Sequence, residues 1–379
     1  MMTRRTLLAG TGAAGIIGVG VPAQAATVTP VLPAPTGPYS IGRTDLHLVD
    51  RSRRDPWLPD KRYRELMVSV WYPARRTREC PLARYQSRLV AEEYQRLVLP
   101  TVPTRVLNWT GIRTHARLEA PMLPGRRPVI LFSPKHLEIR SYATLVVEEL
   151  ASRGYLVVTT EGTHEALAVE FPHGRLETIK PQAMPDMSDP ADLLDKQIRT
   201  VRSRAEDMAF VLDTIRARFD VSTVGVFGMV GGAVAGLRAA ADGVRIDAVA
   251  GMPEVIGPWV TAAGSVPFLQ FSDSEAANNH RDDPGWRAFW PKLTGWKLNL
   301  QLEGSTWGSF CDYQALFPSI RNGYPPFDYG NEVGTIAPVR SIAAQRAYLT
   351  AFFDLHLRGR DSGLLRGPSA EHPDVSFIV

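Results

Sequence analysis

The pattern that most suggests chemistry is a short turn flanked by glycines, Gly228-Met229-Val230-Gly231-Gly232. The turn follows the apolar run Thr223–Phe227 and precedes a stretch of small residues, Ala233–Ala241. A strand, a tight glycine-flanked turn and a helix form the context of the G-x-S-x-G motif, whose serine attacks acyl groups. Here the apex is Val230, which has no nucleophilic atom. From these five residues alone, close packing of a strand on a helix is the simpler explanation.

The elements that would position this turn follow a regular order. Pro128–Ser133 and Tyr155–Thr160 are typical of strands buried on both faces. Tyr142–Ser152 has helical spacing and ends before Gly154, and Asp192–Arg218 forms a long amphipathic pattern. The other predicted elements are strands over Thr44–Asp50, Met67–Pro73, Thr223–Phe227, Ile246–Met252, Val266–Phe271 and Lys297–Glu303, and a terminal helix over Ser341–Leu357. This alternation predicts an α/β fold, a mostly parallel central sheet with helices on both faces.

Two irregular segments interrupt the alternation, at about residues 75–123 and 161–190. The first includes a helical stretch near Leu89–Leu97, and the second is rich in proline and acidic residues. No internal repeat is present. The sequence therefore predicts a single α/β domain over residues 26–379 with two cap-like insertions.

The first 25 residues have the pattern of an export signal. Arg4 and Arg5 precede a short apolar, glycine-rich run, and Ala23-Gln24-Ala25 has the A-x-A form of a cleavage site. The apolar run is short for a membrane span of about 20 residues, although an uncleaved anchor is the alternative. We predict a twin-arginine-type signal peptide over residues 1–25, export to the cell envelope or medium, and no stable membrane span after cleavage.

Composition excludes several classes of protein. The 43 basic and 39 acidic residues are nearly balanced, and no long basic block is present, so no nucleic-acid partner is predicted. The two cysteines, Cys80 and Cys311, cannot form a disulfide framework or a four-cysteine zinc site, although one disulfide between them remains open. No H-x-x-x-H or C-x-x-C spacing occurs, so neither a metal nor a cofactor is predicted. The sequence does not determine the oligomeric state.

Several segments between Gly37 and Phe377 together carry a family resemblance. They include RELMVSVWYPA, RRPVILFSP, ELASRGYLVV, VEFPHGR and TAFFDLHLRG. In these segments the chain resembles the lipase-like, plasma-type platelet-activating-factor acetylhydrolases, a branch of the α/β-hydrolases. The resemblance covers most of the mature chain, and it implies an α/β-hydrolase fold that carries out acyl hydrolysis with a Ser-His-Asp triad.

Each catalytic position of that family falls on a residue of the wrong type. The serine falls on Val230 and the histidine before it on Met229, while the acid falls on Pro253. The catalytic histidine falls on Trp307, and the oxyanion loop, Pro134-Lys135-His136-Leu137, lacks its glycines. Because a triad works as a unit, these losses predict that serine hydrolysis is absent.

Other polar residues follow the predicted strands and could replace the triad. Glu254 comes directly after the lost acid, where a partly buried carboxylate would have a raised pKa suited to acid–base work. His136 lies in the oxyanion loop, and His164 begins the second insertion. We predict Glu254, His136 and His164 as catalytic residues, and for each the alternative is a structural hydrogen bond or a solvated loop position. The further predicted cleft residues are Lys135, Met229, Glu161, Glu165 and Asp312.

Three functions remain open from the sequence. In the first, the cleft binds an apolar, lipid-like or polyketide-like small molecule of secondary metabolism and, if catalytic, promotes non-hydrolytic cyclisation, isomerisation or elimination. In the second, the protein is a pseudoenzyme that only binds its ligand. In the third, it is an esterase with a displaced nucleophile such as Ser133, Ser305 or Ser309. In the first two cases Val230 has no serine to present, so we expect the turn to relax and Gly228 or Gly231 to take any positive φ.

Overall fold

A large twisted sheet organises the computed structural model, which describes residues 27–260, 263–276 and 278–379. The predicted signal peptide therefore lies outside the described residues. The strands are β1 (Ile41–Asp50), β2 (Arg64–Pro73), β3 (Leu82–Arg84), β4 (Arg113–Leu118), β5 (Arg127–Ser133), β6 (Leu156–Thr160), β7 (Ala168–Phe171), β8 (Arg175–Thr178), β9 (Val221–Gly228), β10 (Ala248–Gly251), β11 (Phe268–Asp273), β12 (Lys297–Leu302) and β13 (Val375–Phe377).

Eleven of these strands form one sheet in the order β13-β12-β11-β10-β9-β5-β6-β2-β1-β4-β3. All neighbours from β12 to β6 are parallel, whereas β2 runs antiparallel to both β6 and β1. The helices are α1 (Arg88–Val98), α2 (Thr144–Ser152), α3 (Pro190–Arg218), α4 (Gly232–Ala241), α5 (Pro284–Phe289), α6 (Tyr313–Gly323) and α7 (Pro338–Arg358). The predicted mostly parallel sheet is confirmed.

Strand β5 shows why the central strands have apolar sequences. Val129 and Leu131 belong to the hydrophobic cluster that includes residues of α3 and α4. Ile130 and Phe132, which point to the other face, belong to the cluster that includes residues of α2 and α7. All four side chains are at most 1% exposed. Helices therefore cover both faces of the sheet, which explains the uninterrupted apolar run.

The two predicted insertions contain more regular structure than the sequence indicated. In the first, β4 pairs in parallel with β1 and β3 pairs with β4, so this segment extends the edge of the sheet as well as contributing α1. In the second, β7 and β8 form a separate antiparallel hairpin. The backbone N–H of Leu89 in α1 is donated to Glu170 of β7 at 3.1 Å, which ties the two insertions together. In the described part of the chain, no helix has the length and hydropathy needed to cross a membrane.

Candidate active site

The elbow turn, residues 228–232, joins the end of β9 to the start of α4. Its apex residue, Val230, has a φ of +36°, and the next residue, Gly231, has a φ of +92°. The left-handed region is unfavourable for a β-branched residue, so the turn is strained at its apex. The expectation that glycine alone would take the positive φ is therefore wrong.

Close packing explains why the turn keeps this shape. A Cβ atom on Gly228 would lie 2.4 Å from the backbone carbonyl carbon of Gly232, and one on Gly232 would lie 2.3 Å from the carbonyl oxygen of Ser133. The strand end and the helix start are thus in contact, and they leave no space for a wider turn. Met229 is 1% exposed and packs in the core, so it does not line a cleft as the sequence predicted.

Glu254 lies beneath the turn. Its carboxylate accepts hydrogen bonds from the backbone N–H groups of Gly231, Ala233 (2.9 Å), Val234 (3.3 Å) and Val255 (3.0 Å). Burial raises the pKa of this carboxyl group, and the four hydrogen bonds oppose that shift. The side chain is completely buried rather than partly buried in a cleft, and its contacts are those of a capping group at the start of α4.

A cavity of about 200 Å³ lies over Val230 and Gly231. Its walls come from α3, from the segment before α3 and from the loop after β10. Besides Val230 and Gly231, the apolar lining consists of Ala183, Pro185, Met187, Leu193, Val201, Val255 and Trp259. The polar lining consists of His136, Lys196, Gln197 and Thr200. A mostly apolar, concave site with a few polar groups is typical of small-molecule binding.

His136 is the predicted catalytic residue that reaches this cavity. Its ring nitrogens are buried and have no hydrogen-bond partner within the described residues, and Nδ1 lies 3.9 Å from Oε2 of Glu165. Arg204 donates from Nε to the other oxygen of Glu165 at 3.2 Å and so orients this carboxylate. Burial lowers the pKa of His136, and the charges of Arg204 and Lys135 act in the same direction, while Glu165 opposes them. A neutral imidazole with a carboxylate behind it can accept a proton, and such contacts are often long in structures without ligand.

Comparison with known proteins places this geometry in a family. No family model matches the chain. A ferulic acid esterase from Streptomyces cinnamoneus is 32% identical and superposes with a TM-score of 0.76, over 92% of this chain and 99% of that one. This chain belongs to the α/β-hydrolases. A probable 1-alkyl-2-acetylglycerophosphocholine esterase from Arthroderma benhamiae is 25% identical, over 92% of this chain and 94% of that protein. The predicted fold is therefore confirmed, and so is the resemblance to acetylhydrolase-like esterases.

In this α/β-hydrolase, Lys135 lies over the ring of Trp307 and does not line the cavity over Val230, so it is not at the cleft position that the sequence predicted. The Nζ atom of Lys135 is 3.6 Å from the centre of the Trp307 ring and 3.8 Å from Oε1 of Glu138. A cation over an aromatic face is attracted by the electron density of the ring. The pair lies at the position where the resemblance places the family's catalytic histidine.

Asp312 has a structural contact in place of the predicted cleft position. Its carboxylate accepts the backbone N–H groups of Thr144 and Leu145 at 2.9 and 3.0 Å, at the start of α2. Burial raises the pKa of Asp312 to about 7, and these hydrogen bonds limit the increase. The side chain is buried and does not line the cavity over Val230.

Glu161 and His164 belong to buried ion networks. Glu161 pairs with Arg140 and accepts its backbone N–H at 2.8 Å. The Nδ1 atom of His164 lies 3.0 Å from Asp55, which is also bound by Arg64. His164 is 1% exposed. Neither side chain lines the cavity, so the structure does not bring them to His136 as the sequence predicted.

Two of the candidate displaced nucleophiles already donate hydrogen bonds to the backbone. The hydroxyl of Ser305 is donated to the carbonyl of Leu302 at 2.6 Å, and that of Ser309 to the carbonyl of Val333 at 2.7 Å. Both serines, like Ser133, are buried. Cys80 and Cys311 are free thiols. Over the described residues no group of three or more His, Cys, Asp or Glu side chains is arranged to hold a metal ion.

The wall of the cavity that α3 contributes could not be predicted from the sequence. Lys196, Gln197 and Thr200 face the site, although nothing in their local sequence distinguishes them from the other polar residues of an amphipathic helix. Trp259 also lines the cavity. Because large aromatic side chains frequently contact ligands, the presence of a tryptophan was the one hint of the cavity in the sequence. The helix faces the site only because of how it packs on the sheet.

Proposed function

We propose that this α/β-hydrolase binds an apolar small molecule in the cavity over Val230 and does not hydrolyse esters through a serine triad. The observation that carries the proposal is the hydrogen bond from the Gly231 N–H to Glu254. In G-x-S-x-G hydrolases the N–H of the residue after the serine helps to bind the oxyanion. Here that N–H is donated to a buried carboxylate, whose negative charge opposes a second anion at the same place.

The residues at the three triad positions support the same proposal. Val230 supplies no hydroxyl group, Pro253 no carboxylate and Trp307 no imidazole. The N–H of Val230 is donated to the carbonyl of Pro253 at 3.4 Å, and the ring of Trp307 is covered by Lys135. Because the members of a triad act together, loss of all three removes the activity that each would support.

We further propose that His136 acts as a general base on the bound molecule and that Glu165 positions it. A neutral imidazole at the wall of an apolar cavity can take a proton from a carbon atom next to a carbonyl group and return it elsewhere. This is the chemistry of cyclisation, isomerisation or elimination. Glu254 and His164, whose contacts are with the backbone and with buried ions, have structural roles in this proposal.

The test measures proton exchange at carbon. Purified protein is incubated in D₂O with phenylacetone, an apolar ketone with exchangeable α-protons, and deuterium incorporation is followed by NMR. We expect exchange above the buffer rate, and we expect His136→Asn to abolish it, because the base is lost. His173→Asn is the matched control, since His173 is exposed on another loop and does not line the cavity. Equal exchange in the wild type and His136→Asn would contradict the assignment, and binding without exchange would favour a pure binding protein.

An esterase with a displaced nucleophile is the second candidate, because both relatives are named as esterases. It is tested with methyl ferulate, 4-nitrophenyl acetate and a fluorophosphonate probe. We expect no turnover above background and no labelling. Turnover that the probe abolishes would instead establish a serine esterase.

We also propose export by the twin-arginine route, on the pattern of Arg4, Arg5 and Ala23-Gln24-Ala25. Replacing both arginines with lysine should leave the unprocessed protein inside the cell. Fractionation and the mass of the mature protein test the route and the cleavage site separately.

A further inference from the structure

The polar groups of the cavity are concentrated on one wall, which α3 provides. Lys196 and Thr200 are four residues apart, so they lie one above the other on the same face of this helix, and Gln197 is beside them. The wall formed by the loop after β10 is apolar and includes Val255 and Trp259. A ligand that fits this site therefore needs a polar end at Lys196, Gln197 and Thr200 and an apolar body against residues such as Val255 and Trp259.

The ammonium group of Lys196 has a weak ion pair. Its side chain is half-buried, with 18% of its surface exposed. Among the described residues, one carboxylate lies within 4 Å of Nζ, that of Asp192 at 3.6 Å. The Asp192 carboxylate also accepts the backbone N–H of Asp186 at 2.8 Å, so it is shared with the loop before α3. Because the pair is long and its carboxylate is shared, it holds the ammonium group weakly, and the group can turn to a ligand.

The groups beside Lys196 are also available to a ligand. Arg199, Arg202 and Thr214 of α3 each donate a side-chain hydrogen bond within the helix. In the described part of the chain, neither the amide of Gln197 nor the hydroxyl of Thr200 makes such a bond. Burial lowers the pKa of His136, the other polar residue of the lining, and so disfavours its cationic form. The positive charge of the described lining is thus that of Lys196.

We infer that the ligand is a small apolar carboxylic acid, and that Lys196 binds its carboxylate as the specificity-determining residue. A cavity of about 200 Å³ holds one aromatic ring with a short chain, since one of about 150 Å³ accepts benzene. With the carboxylate at Lys196 and the ring against Trp259, the chain between them lies near Val230 and His136. The inference rests on the proposed function, because it names the class of molecule that the same cavity would take.

The experiment compares an acid with its uncharged isostere. The mature protein is titrated with 3-phenylpropanoate and with 3-phenylpropanamide, and affinities are measured by calorimetry. We expect the acid to bind about tenfold or more tightly than the amide, which corresponds to about 1.4 kcal/mol. Salt should weaken binding of the acid and leave the amide unaffected, because mobile ions screen a charge pair.

Substitutions then assign the effect to one residue. Lys196→Met should remove the preference for the acid, whereas Lys196→Arg should retain it. Lys292→Met, at an exposed position outside the lining, should behave as the wild type. Val230→Trp, which fills the cavity, should abolish binding of both compounds and so locate the site. Thermal unfolding of each variant shows whether it is folded. If Lys196→Met does not fold, Lys196→Gln takes its place.

Two results would overturn the inference. One is an unchanged preference for the acid in folded Lys196→Met or Lys196→Gln, and the other is failure of the acid to bind the wild type. His136→Asn separates this inference from the proposed chemistry. If that variant keeps the preference for the acid while the wild type shows no proton exchange, the general-base proposal fails and the assignment of Lys196 stands.

Discussion

The backbone N–H of Gly231 is donated to the carboxylate of Glu254, so a side chain of the protein occupies the start of α4, where an external anion would bind. The same carboxylate accepts three further N–H groups and is completely buried. It therefore holds the elbow turn in the shape that carries the positive φ of Val230. The turn thus keeps a positive φ at an apex that presents no serine, and both close packing and this carboxylate stabilise it.

Removing this anion should destabilise the protein in a way that an added anion reverses. We expect Glu254→Ala to lower the free energy of unfolding by about 2–4 kcal/mol, because buried N–H groups lose their acceptor. Formate at high concentration should raise the melting temperature of this variant more than that of the wild type. Glu254→Gln, which keeps one acceptor oxygen, should lose less stability. Equal melting temperatures for the wild type and Glu254→Ala would contradict the capping role.

Restoring the triad should be insufficient for ester hydrolysis. We expect Val230→Ser to leave hydrolysis of 4-nitrophenyl acetate at background, because a serine without a base is a weak nucleophile. The triple variant with Pro253→Asp and Trp307→His should gain little, since the Gly231 N–H is still donated to Glu254. Adding Glu254→Ala should raise the rate, and one oxyanion donor is worth about 10²–10³ in kcat. High activity in Val230→Ser alone would show that the comparison with the family's triad is wrong.

The stability of the fold should depend on pH through Asp312. Burial raises the pKa of Asp312 to about 7 in the folded state, above the ordinary value of 3.8 for an aspartate side chain. The folded state therefore binds the proton more tightly, so this contribution to stability is complete below pH 3.8 and is lost as the pH rises through 7. Asp312→Asn should show a smaller fall in melting temperature between pH 4 and pH 8 than the wild type. The same fall in both proteins would exclude Asp312 as its cause.

The network around Arg64 should contribute strongly to stability. Arg64 is completely buried and binds Asp55 at 2.9 Å and Asp207 of α3 at 2.8 Å. We expect Arg64→Met to lower the free energy of unfolding by at most about 3–5 kcal/mol, because each buried carboxylate loses one charged partner, while Arg53 still binds Asp207 and His164 still contacts Asp55. Arg199→Met is the control, since Arg199 pairs with Asp195 on the exposed face of α3. Urea denaturation checks both variants, and a similar small loss in each would contradict the prediction.

Several features could be predicted because their cause is local. The strands β5, β6 and β9 are buried on both faces, so their sequences are apolar runs, and the predicted boundaries agree with the structure to within two residues. The glycines of the elbow turn are required by the contact between β9 and α4. The identity of the apex residue, valine, is a property of the sequence itself.

The roles of the polar residues were decided by contacts between distant parts of the chain. His136 and His164 each lie in a loop that follows a central strand, and nothing nearby in the sequence separates them. One reaches the cavity, whereas the other is enclosed by Asp55, which is more than a hundred positions earlier. The role of Glu254 is also set by the tertiary structure, because the bend after β10 turns its carboxylate under α4 rather than toward solvent.

The cavity itself is also a product of the tertiary structure. Lys196 and Trp259 belong to segments separated by more than sixty residues, and they share one site because α3 and the loop after β10 pack beside the same turn. Likewise β4 joins the sheet because it pairs with β1, and nothing in the sequence of β4 itself indicates which strand it pairs with. Local sequence determines which residues form strands and helices, but long-range packing determines which side chains meet. A contact involves two elements, and the sequence of neither element alone fixes their relative position.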